Sequence, residues 1–374
     1  MIRTSELRNH EPDYTLLVLF GILLVFGLVM LSSASAPVGY AKFGDSYFFI
    51  KRQLMYGLLP GLFLFLFFSK FDYHRLTRYA YASFLASIAI LVVLFIPGIG
   101  STLGTGARSW IALGSFTLQP AEIVKFLLII FLSGYLAKKS DTLRSFDQGF
   151  LPSLSLGMIP IMLVLIQPDM GTATILFAIL FGMFFVAGAR FTHLLGLLSI
   201  GLVGFALLVA IAPYRVARLT TFLHPELDPQ GIGYQINQAF LAIGSGGIFG
   251  AGLGHSQQKF QYLPEVNADS IFAVISEEMG FVVTSGLIIL LVFIAMRTLR
   301  LAKGAPDIEG RLILTGCIVW FMVQSFFNIG AMVGLLPLTG VPLPFVSHGG
   351  TALMMALGAL GVMSNVSKYV GERA

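Results

Sequence analysis

The sequence predicts an all-α polytopic membrane protein of about ten transmembrane helices, both termini cytoplasmic, with a long extracytoplasmic loop between helices 7 and 8. Three observations carry this. The 374 residues are 56% hydrophobic and only 11% charged, where ordinary soluble domains carry about 25% charged residues. Several apolar runs are long enough to cross a bilayer, which takes roughly 20 residues. The basic residues fall in alternate turns between those runs, as topology-setting charges do. Residues 1–374 read as one integral membrane domain with no internal repeat and no soluble domain. The single cysteine, Cys317, lies in an apolar run. It excludes a disulfide framework or a Cys-based metal site and fits a buried packing role. Nothing suggests nucleic-acid binding. No small-residue cleavage site follows the first apolar run, so no cleavable signal is expected.

Taken in order, the apolar runs place helices near 14–34, 50–69, 79–97, 120–137, 151–167, 172–189, 192–212, 270–297, 311–334 and 348–367. With ten crossings, Arg3, Arg8, Lys70, Arg75, Arg78, Lys138, Lys139, Arg144, Arg190, Arg297, Arg300, Lys303, Lys368 and Arg373 all share one side. That side is cytoplasmic by the positive-inside rule. Lys51 and Arg52 fall on the other side and conflict with it. Two outer loops are long. One spans 98–119; the other, about 213–269, far exceeds the usual connection and is expected to be functional. Its "YQINQAFLAIGSGGIFGAGLG" alternates apolar and small residues and reads as a folded, interfacial segment. The cluster from Gly244 to Gly254 is not a phosphate loop, because no Lys-Ser/Thr follows and no strand precedes. Close backbone packing is the expected use.

Polar groups inside apolar runs are expensive and are functional candidates by default. Glu122 and Lys125 open the fourth helix three residues apart, on one face; a self-neutralising pair and a cavity lining both fit. In "QPDMGT", from Gln167 to Thr172, Asp169 either caps the sixth helix or faces a polar cavity. Glu277 and Glu278 lie about 12–14 Å along the eighth helix from Asp269 at 1.5 Å per residue, so they must meet polar partners inside the bundle. Asp269 stands where an N-cap belongs. It also follows a polar loop holding Lys259 and Glu265, and a carboxylate on a rigid helix end at the membrane surface suits a general base.

Five motifs in this order, "GARSWIALGSFTLQPAEIVK", "QPDMGT", "GYQINQAFLAIGSGGIFGAGLGHSQQKFQYLPE", "DSIFAVISEEMG" and "GLLPLTGVPLPFVSHGGTA", resemble the SEDS family of bacterial membrane proteins, which includes FtsW, RodA and SpoVE. The match runs from the first helix to about residue 365, and "SQQKFQYLPE" is nearer the FtsW branch. The resemblance implies a peptidoglycan glycosyltransferase that polymerises lipid II at the outer face of the bacterial cytoplasmic membrane, in division or elongation. Its expected partner is a class B penicillin-binding protein (FtsI-like or its elongation counterpart), among other divisome or elongasome proteins. It implies Asp269 as the catalytic residue, with Glu122, Lys125 and Asp169 lining a central cavity. Arg108, Gln167, Lys259, Glu265, Glu278 and Ser347 complete the expected substrate or cavity set. Arg108, Lys259, Arg215 and Arg218 could face a leaving diphosphate, and a divalent cation (Mg or Mn) could assist. The chain departs from the family where "NADSIF" replaces "HTDFIF" and where His348 replaces Tyr; a tolerated surface substitution is expected at His348. The rival reading is a lipid II flippase using the same cavity.

Overall fold

A computed structural model describes residues 10–102, 107–113 and 116–370. Arg3, Arg8 and Arg373, which entered the charge argument, lie outside the described residues, as do Gly106, Gly114 and Ser115 of the first motif. The chain is an all-α polytopic membrane protein. Among the described residues, eight helices are long and apolar enough to cross a membrane, and two shorter apolar helices join them. Each of the ten expected stretches coincides with one of these.

α1 (Tyr14–Phe43) runs nine residues beyond its expected end, through Pro37. α2 (Phe48–Gln53) and α3 (Leu59–Lys70) form one span across a π-helical turn, Leu54–Leu58. α4 (Tyr73–Arg78) is a short connector to α5 (Ala80–Val93). Three short antiparallel strands follow, β1 (Gly100–Ser101), β2 (Trp110–Leu113) and β3 (Phe116–Leu118), with Gly100 opposite Ile111 and Ile111 opposite Leu118. α6 (Pro120–Lys139), α7 (Leu151–Ile166), α8 (Met170–Val186) and α9 (Phe191–Ile211) come next. The long loop expected at 213–269 contains two amphipathic helices, α10 (Pro213–Leu223) and α11 (Ile232–Ser245). α12 (Ile271–Gly304), α13 (Ile308–Met332) and α14 (Gly350–Ser367) close the chain.

α6 and α14 are the most enclosed spans and α9 the least, packing mainly on α8 and α10. One apolar core joins the spans, and Cys317 is fully buried within it. One end of the bundle gathers the start of α1 and the ends of α3, α12 and α14. There the His10 amide donates to Lys368 O (2.8 Å), Arg297 binds the Asp13 carboxylate, and Lys368 Nζ donates to Ser69 O (2.6 Å). The opposite end gathers α11, the loop before α12, the loop before α14 and the start of α2. Lys51 at that end pairs with Asp45 at 2.7 Å. Its charge therefore has a local acid partner, which answers part of the conflict in the charge pattern.

α12 is broken at Gly280, where φ is 71° and ψ is −176°. A break frees backbone groups that apolar surroundings cannot satisfy. The Gly-rich loop supplies partners on both sides of the break. The carbonyls of Glu277 and Glu278 accept from the amides of Ala251 and Gly252, both at 2.9 Å. The amides of Phe281 and Val282 donate to Gly247 O (2.9 Å) and Ile248 O (3.2 Å). The approach is so close that a Cβ on Gly280 would lie 2.2 Å from Gly250 N. This is the backbone packing expected of the glycine cluster.

Candidate functional site

At the end of the bundle opposite the chain termini, Asp269 lines a shallow depression together with Asn328, Met332, Leu338, Thr339 and Val341. Asp269 does not cap α12. The capping position belongs to Ser270, whose side chain makes no capping bond. The capping role open to Asp269 in the sequence is therefore not the one seen, although its carboxylate still meets the main chain at Asp269 and Ser270. Its side chain meets the Gln235 amide of α11, 3.4 Å away, and the same amide donates to Ser270 Oγ at 2.9 Å. Burial, then the negative charge of Glu265, push the Asp269 carboxyl up to about 6. Both disfavour the ionised form.

The main chain leading to Asp269 is held at three consecutive carbonyls. The His348 amide donates to Asn267 O at 2.7 Å, Ser347 Oγ to Ala268 O at 2.6 Å, and Asn328 Nδ2 to Asp269 O at 2.9 Å. Ser347 Oγ also accepts from the Leu343 amide, 2.8 Å away. Ser347 thus sits against the catalytic candidate through the backbone. Glu265 is exposed and turns the chain in a left-handed conformation (φ 50°); its carbonyl accepts from the amides of Ala268 and Ser270. His348 is half-buried, edge-on to Phe49 at 5.2 Å, and not the surface substitution expected. Burial, and then the positive charge of Arg52, push its imidazole down to about 4, so it stays neutral.

The other acids before and within α12 have different company. Glu278 is fully buried and forms an ion pair with Lys259 at 2.6 Å, while Ser33 Oγ donates to both its oxygens. Lys259 is 3% exposed, so its charge is committed there and not to a surface diphosphate. Glu277 accepts from Ser256 Oγ (2.5 Å) and from the amides of Gln257 and Gln258. It ties the polar loop to α12.

Glu122 and Lys125 form a buried pair at 2.7 Å with side chains 2% and 1% exposed. Lys125 Nζ also donates to Gln324 Oε1 at 2.7 Å and lies 4.9 Å from the Trp320 ring. Asp169 acts on Lys125 electrostatically. Its carboxylate caps α8 through the Thr172 amide and hydroxyl, at 3.0 and 2.9 Å. Gln167 ends α7 and donates to Leu91 O at 3.2 Å. Arg108 lies just before β2, exposed, with its Nε on Gly100 O at 3.3 Å. Arg215 reaches Tyr214 and Leu208 O, and Arg218 is exposed on α10. Glu122 and Lys125 thus form a buried pair inside the bundle, with Asp169 capping α8 nearby, while Asp269, Glu265 and Ser347 lie at its end.

Sequence reasoning missed Gln235, Gln324 and Asn328. The signal for the last two was present. They are polar residues four apart inside an apolar helix, hence on one face and costly unless partnered. Gln235 sits in an amphipathic stretch where polar residues are ordinary and carry no such signal.

Comparison with known proteins gives a consistent result. The model of a family described as "Cell cycle protein", covering FtsW, RodA and SpoVE, matches residues 14–372. "Stage V sporulation protein E" of Bacillus subtilis is 43% identical, covering 97% of this chain and 98% of its own. "Probable peptidoglycan glycosyltransferase FtsW" of a Geobacter species is 39% identical, covering 96% and 98%. Among solved structures, the rod shape determining protein RodA of Thermus thermophilus is 30% identical with a TM-score of 0.70, covering 95% and 96%. A chain from work on a peptidoglycan synthase complex that coordinates polymerisation and crosslinking is 28% identical with a TM-score of 0.76, covering 95% and 97%.

Proposed function

The chain belongs to the FtsW/RodA/SpoVE (SEDS) family, and on that premise we infer that it is a peptidoglycan glycosyltransferase polymerising lipid II, with Asp269 as general base. One observation carries the assignment of the base. Asp269 is a carboxylate lining a shallow depression, 3.4 Å from the neutral Gln235 amide, and burial, then the negative charge of Glu265, push it up to about 6. A base with a pKa near the working pH is present in its ionised form and still takes a proton readily. The Asp269 carboxylate removes the proton of the acceptor sugar 4-hydroxyl. That oxygen attacks the anomeric carbon of the growing strand with inversion. The bond to undecaprenyl diphosphate breaks, and the diphosphate leaves with the electron pair.

The leaving group needs positive charge beside it. With Lys259 committed to Glu278, Arg108, Arg215 and Arg218 are the candidates. Among the described residues no group of three or more His, Cys, Asp or Glu comes together as a metal cage. A divalent cation would therefore take most of its oxygens from the substrate and water. The active site is assigned to the extracytoplasmic side of the bacterial cytoplasmic membrane, with ten crossings and both termini cytoplasmic. The described basic residues at the terminal end, including Lys70, Arg297 and Lys368, support that orientation. A class B penicillin-binding protein is the proposed partner, since a similar chain was solved in a peptidoglycan synthase complex.

The test is glycan-strand synthesis from purified lipid II by the purified chain, with and without its cognate penicillin-binding protein. Synthesis by the native chain and none by Asp269→Asn supports the reading; equal synthesis by both removes Asp269 as base. Orientation is tested separately. Asp141 and Gln257 are exposed, and cysteines placed there should label from opposite sides of the membrane. Labelling from one side would overturn the outer-face site.

A further inference from the structure

We propose that Asn328 is a positioning residue for Asp269, holding the main chain of the base against the loop before α14 and linking it to the buried Glu122–Lys125 pair. The inference rests on Asp269 as the base. Asn328 Nδ2 is shared between two carbonyls, Asp269 O and Val341 O, each at 2.9 Å. One amide thus ties the residue that carries the base to a loop 72 positions further along the chain. One turn earlier on α13, Gln324 Nε2 donates to Pro342 O at 2.9 Å. Two amides four residues apart therefore grip two consecutive carbonyls, and the loop they grip also carries Ser347 and His348. Those two residues hold Ala268 O and Asn267 O.

The grip is anchored from behind. Gln324 Oε1 accepts from both Trp320 Nε1 and Lys125 Nζ, each at 2.7 Å. Accepting two donors fixes which end of the amide faces the loop, so the Nε2 group is aimed at Pro342 O. Lys125 is held in turn by Glu122. The buried charge pair thereby acts on the reacting end of the molecule through neutral amides, although it is not in contact with Asp269. A general base must sit within hydrogen-bond reach of the proton it removes, and small displacements are costly. The side chain that reaches the Asp269 carboxylate, Gln235, lies 3.4 Å away, and the carboxylate's other hydrogen bonds come from the main chain at Asp269 and Ser270. Its placement comes from the main chain, and the main chain is placed by Asn328, Ser347 and the His348 amide.

The experiment compares Asn328→Leu, Ser347→Ala, Ser325→Ala and Asp269→Asn in lipid II polymerisation with the penicillin-binding partner present. Each is measured for kcat, KM, pH profile and melting temperature. Leu has nearly the shape of Asn but donates to neither carbonyl. For Asn328→Leu the expected result is a kcat lowered about 10- to 100-fold, a KM within about twofold of native, and an acid limb moved down from near 6 as the freed carboxylate gains water. The charged group facing Asp269 is Glu265, which the variant leaves in place. Ser347→Ala should show the same pattern, smaller. Ser325→Ala should behave as native, because that buried hydroxyl meets no hydrogen-bond partner among the described residues. Native kcat for Asn328→Leu, or a lower kcat with an unmoved acid limb, overturns the proposal. So does misfolding of both Asn328→Leu and Ser347→Ala, which would assign the contacts to folding alone. If Asp269→Asn itself polymerises normally, the base assignment has failed. If Asp269→Asn is dead and Asn328→Leu normal, only the positioning role has failed.

Discussion

Asp269 and Asp307 are two half-buried carboxylates at opposite ends of the same helix, one just before α12 and one just after it. Their surroundings are opposite in kind. At Asp307 burial works against ionisation, but a bond from His74 (3.0 Å), the Gly310 amide (2.7 Å) and the Tyr73 hydroxyl (2.5 Å) outweigh it and hold the carboxyl below its ordinary range. His74 is raised to about 9, first by its bond to Asp307 and, against the opposing effect of burial, also by Asp72. At Asp269 burial is joined by a second negative charge, and the answering donors are weaker. A carboxylate surrounded by donors is a pin for the fold and a poor base. A carboxylate whose burial goes unanswered is a better base, at the expense of stability.

Exchanging the two acids for their amides should separate those roles, with the largest effect at Asp269. Asp269→Asn should lower glycan synthesis by about 10²–10⁴-fold, the usual contribution of a general base. Its stability should hold or rise. The folded pKa lies above the unfolded value of 3.8, so at neutral pH the ionised form opposes folding, by at most on the order of 3 kcal/mol. A melting temperature that falls along with activity would make Asp269 a structural residue like Asp307.

The buried pairs come next. Lys125→Met leaves the Glu122 carboxyl without its partner at 2% exposure. Removing one partner of a buried pair costs about 3–5 kcal/mol. The variant should melt lower, lose synthesis, and recover part of both when Glu122→Gln is added, since the double variant buries no charge. Unchanged melting and activity in Lys125→Met would mean that the pair is hydrated. A flippase reading would instead require the pair to matter for transport while Asp269→Asn transports normally.

The ten apolar helices were legible because length and apolarity decide them directly. The extension of α1 through Pro37 was not, since its last residues are no more apolar than a loop. The break at Gly280 was hidden for a related reason: one glycine in an apolar helix reads as tolerated, and only the distant loop from Gly247 to Gly252 reveals what the break is for. At the site, Asp269 was legible as a carboxylate in an ordered motif. The clamp on it was not. Its acceptors are the carbonyls of Asn267, Ala268 and Asp269, which every residue type carries, so the residue names contain no trace of the contact. Glu277 and Glu278 could be placed against polar partners by cost alone, but which acid met Lys259 required the fold.

A smaller effect tests the Asp307 side. The folded pKa of His74, about 9, exceeds the unfolded value of 6.5. Its contribution to stability is therefore complete below pH 6.5 and lost as pH rises through 9. Asp307, held below 3.8, stays ionised throughout that window. Melting temperature should fall between pH 6.5 and 9, by an amount equivalent to at most about 3 kcal/mol. His74→Gln should flatten that part of the curve without shifting the acid limb of the activity. A curve that keeps its slope in His74→Gln would show that another group titrates there.

The smallest effect is expected where the charges are most visible. Lys51 and Asp45 make an ion pair at 2.7 Å, as short as Glu122–Lys125, but their side chains are 65% and 36% exposed. The Asp45 carboxyl is lowered, chiefly by its hydrogen bond to Lys51 and then by the Tyr47 amide. Water solvates both partners equally well when they part, and salt screens what attraction remains. Lys51→Ala should therefore leave the melting temperature unchanged within error at ordinary salt, while Lys125→Met lowers it clearly. Distance is the same in the two pairs, so the contrast isolates burial as the variable. A large loss in Lys51→Ala would have to come from something besides the pair. The first place to look is orientation: Lys51 is a basic residue at the end of the bundle opposite the chain termini, and under the proposed orientation removing it should strengthen the charge asymmetry that sets the topology. A Lys51→Ala protein that inserts more uniformly, by labelling of cysteines at positions 141 and 257, would support that asymmetry; one that inserts in mixed orientation would break it.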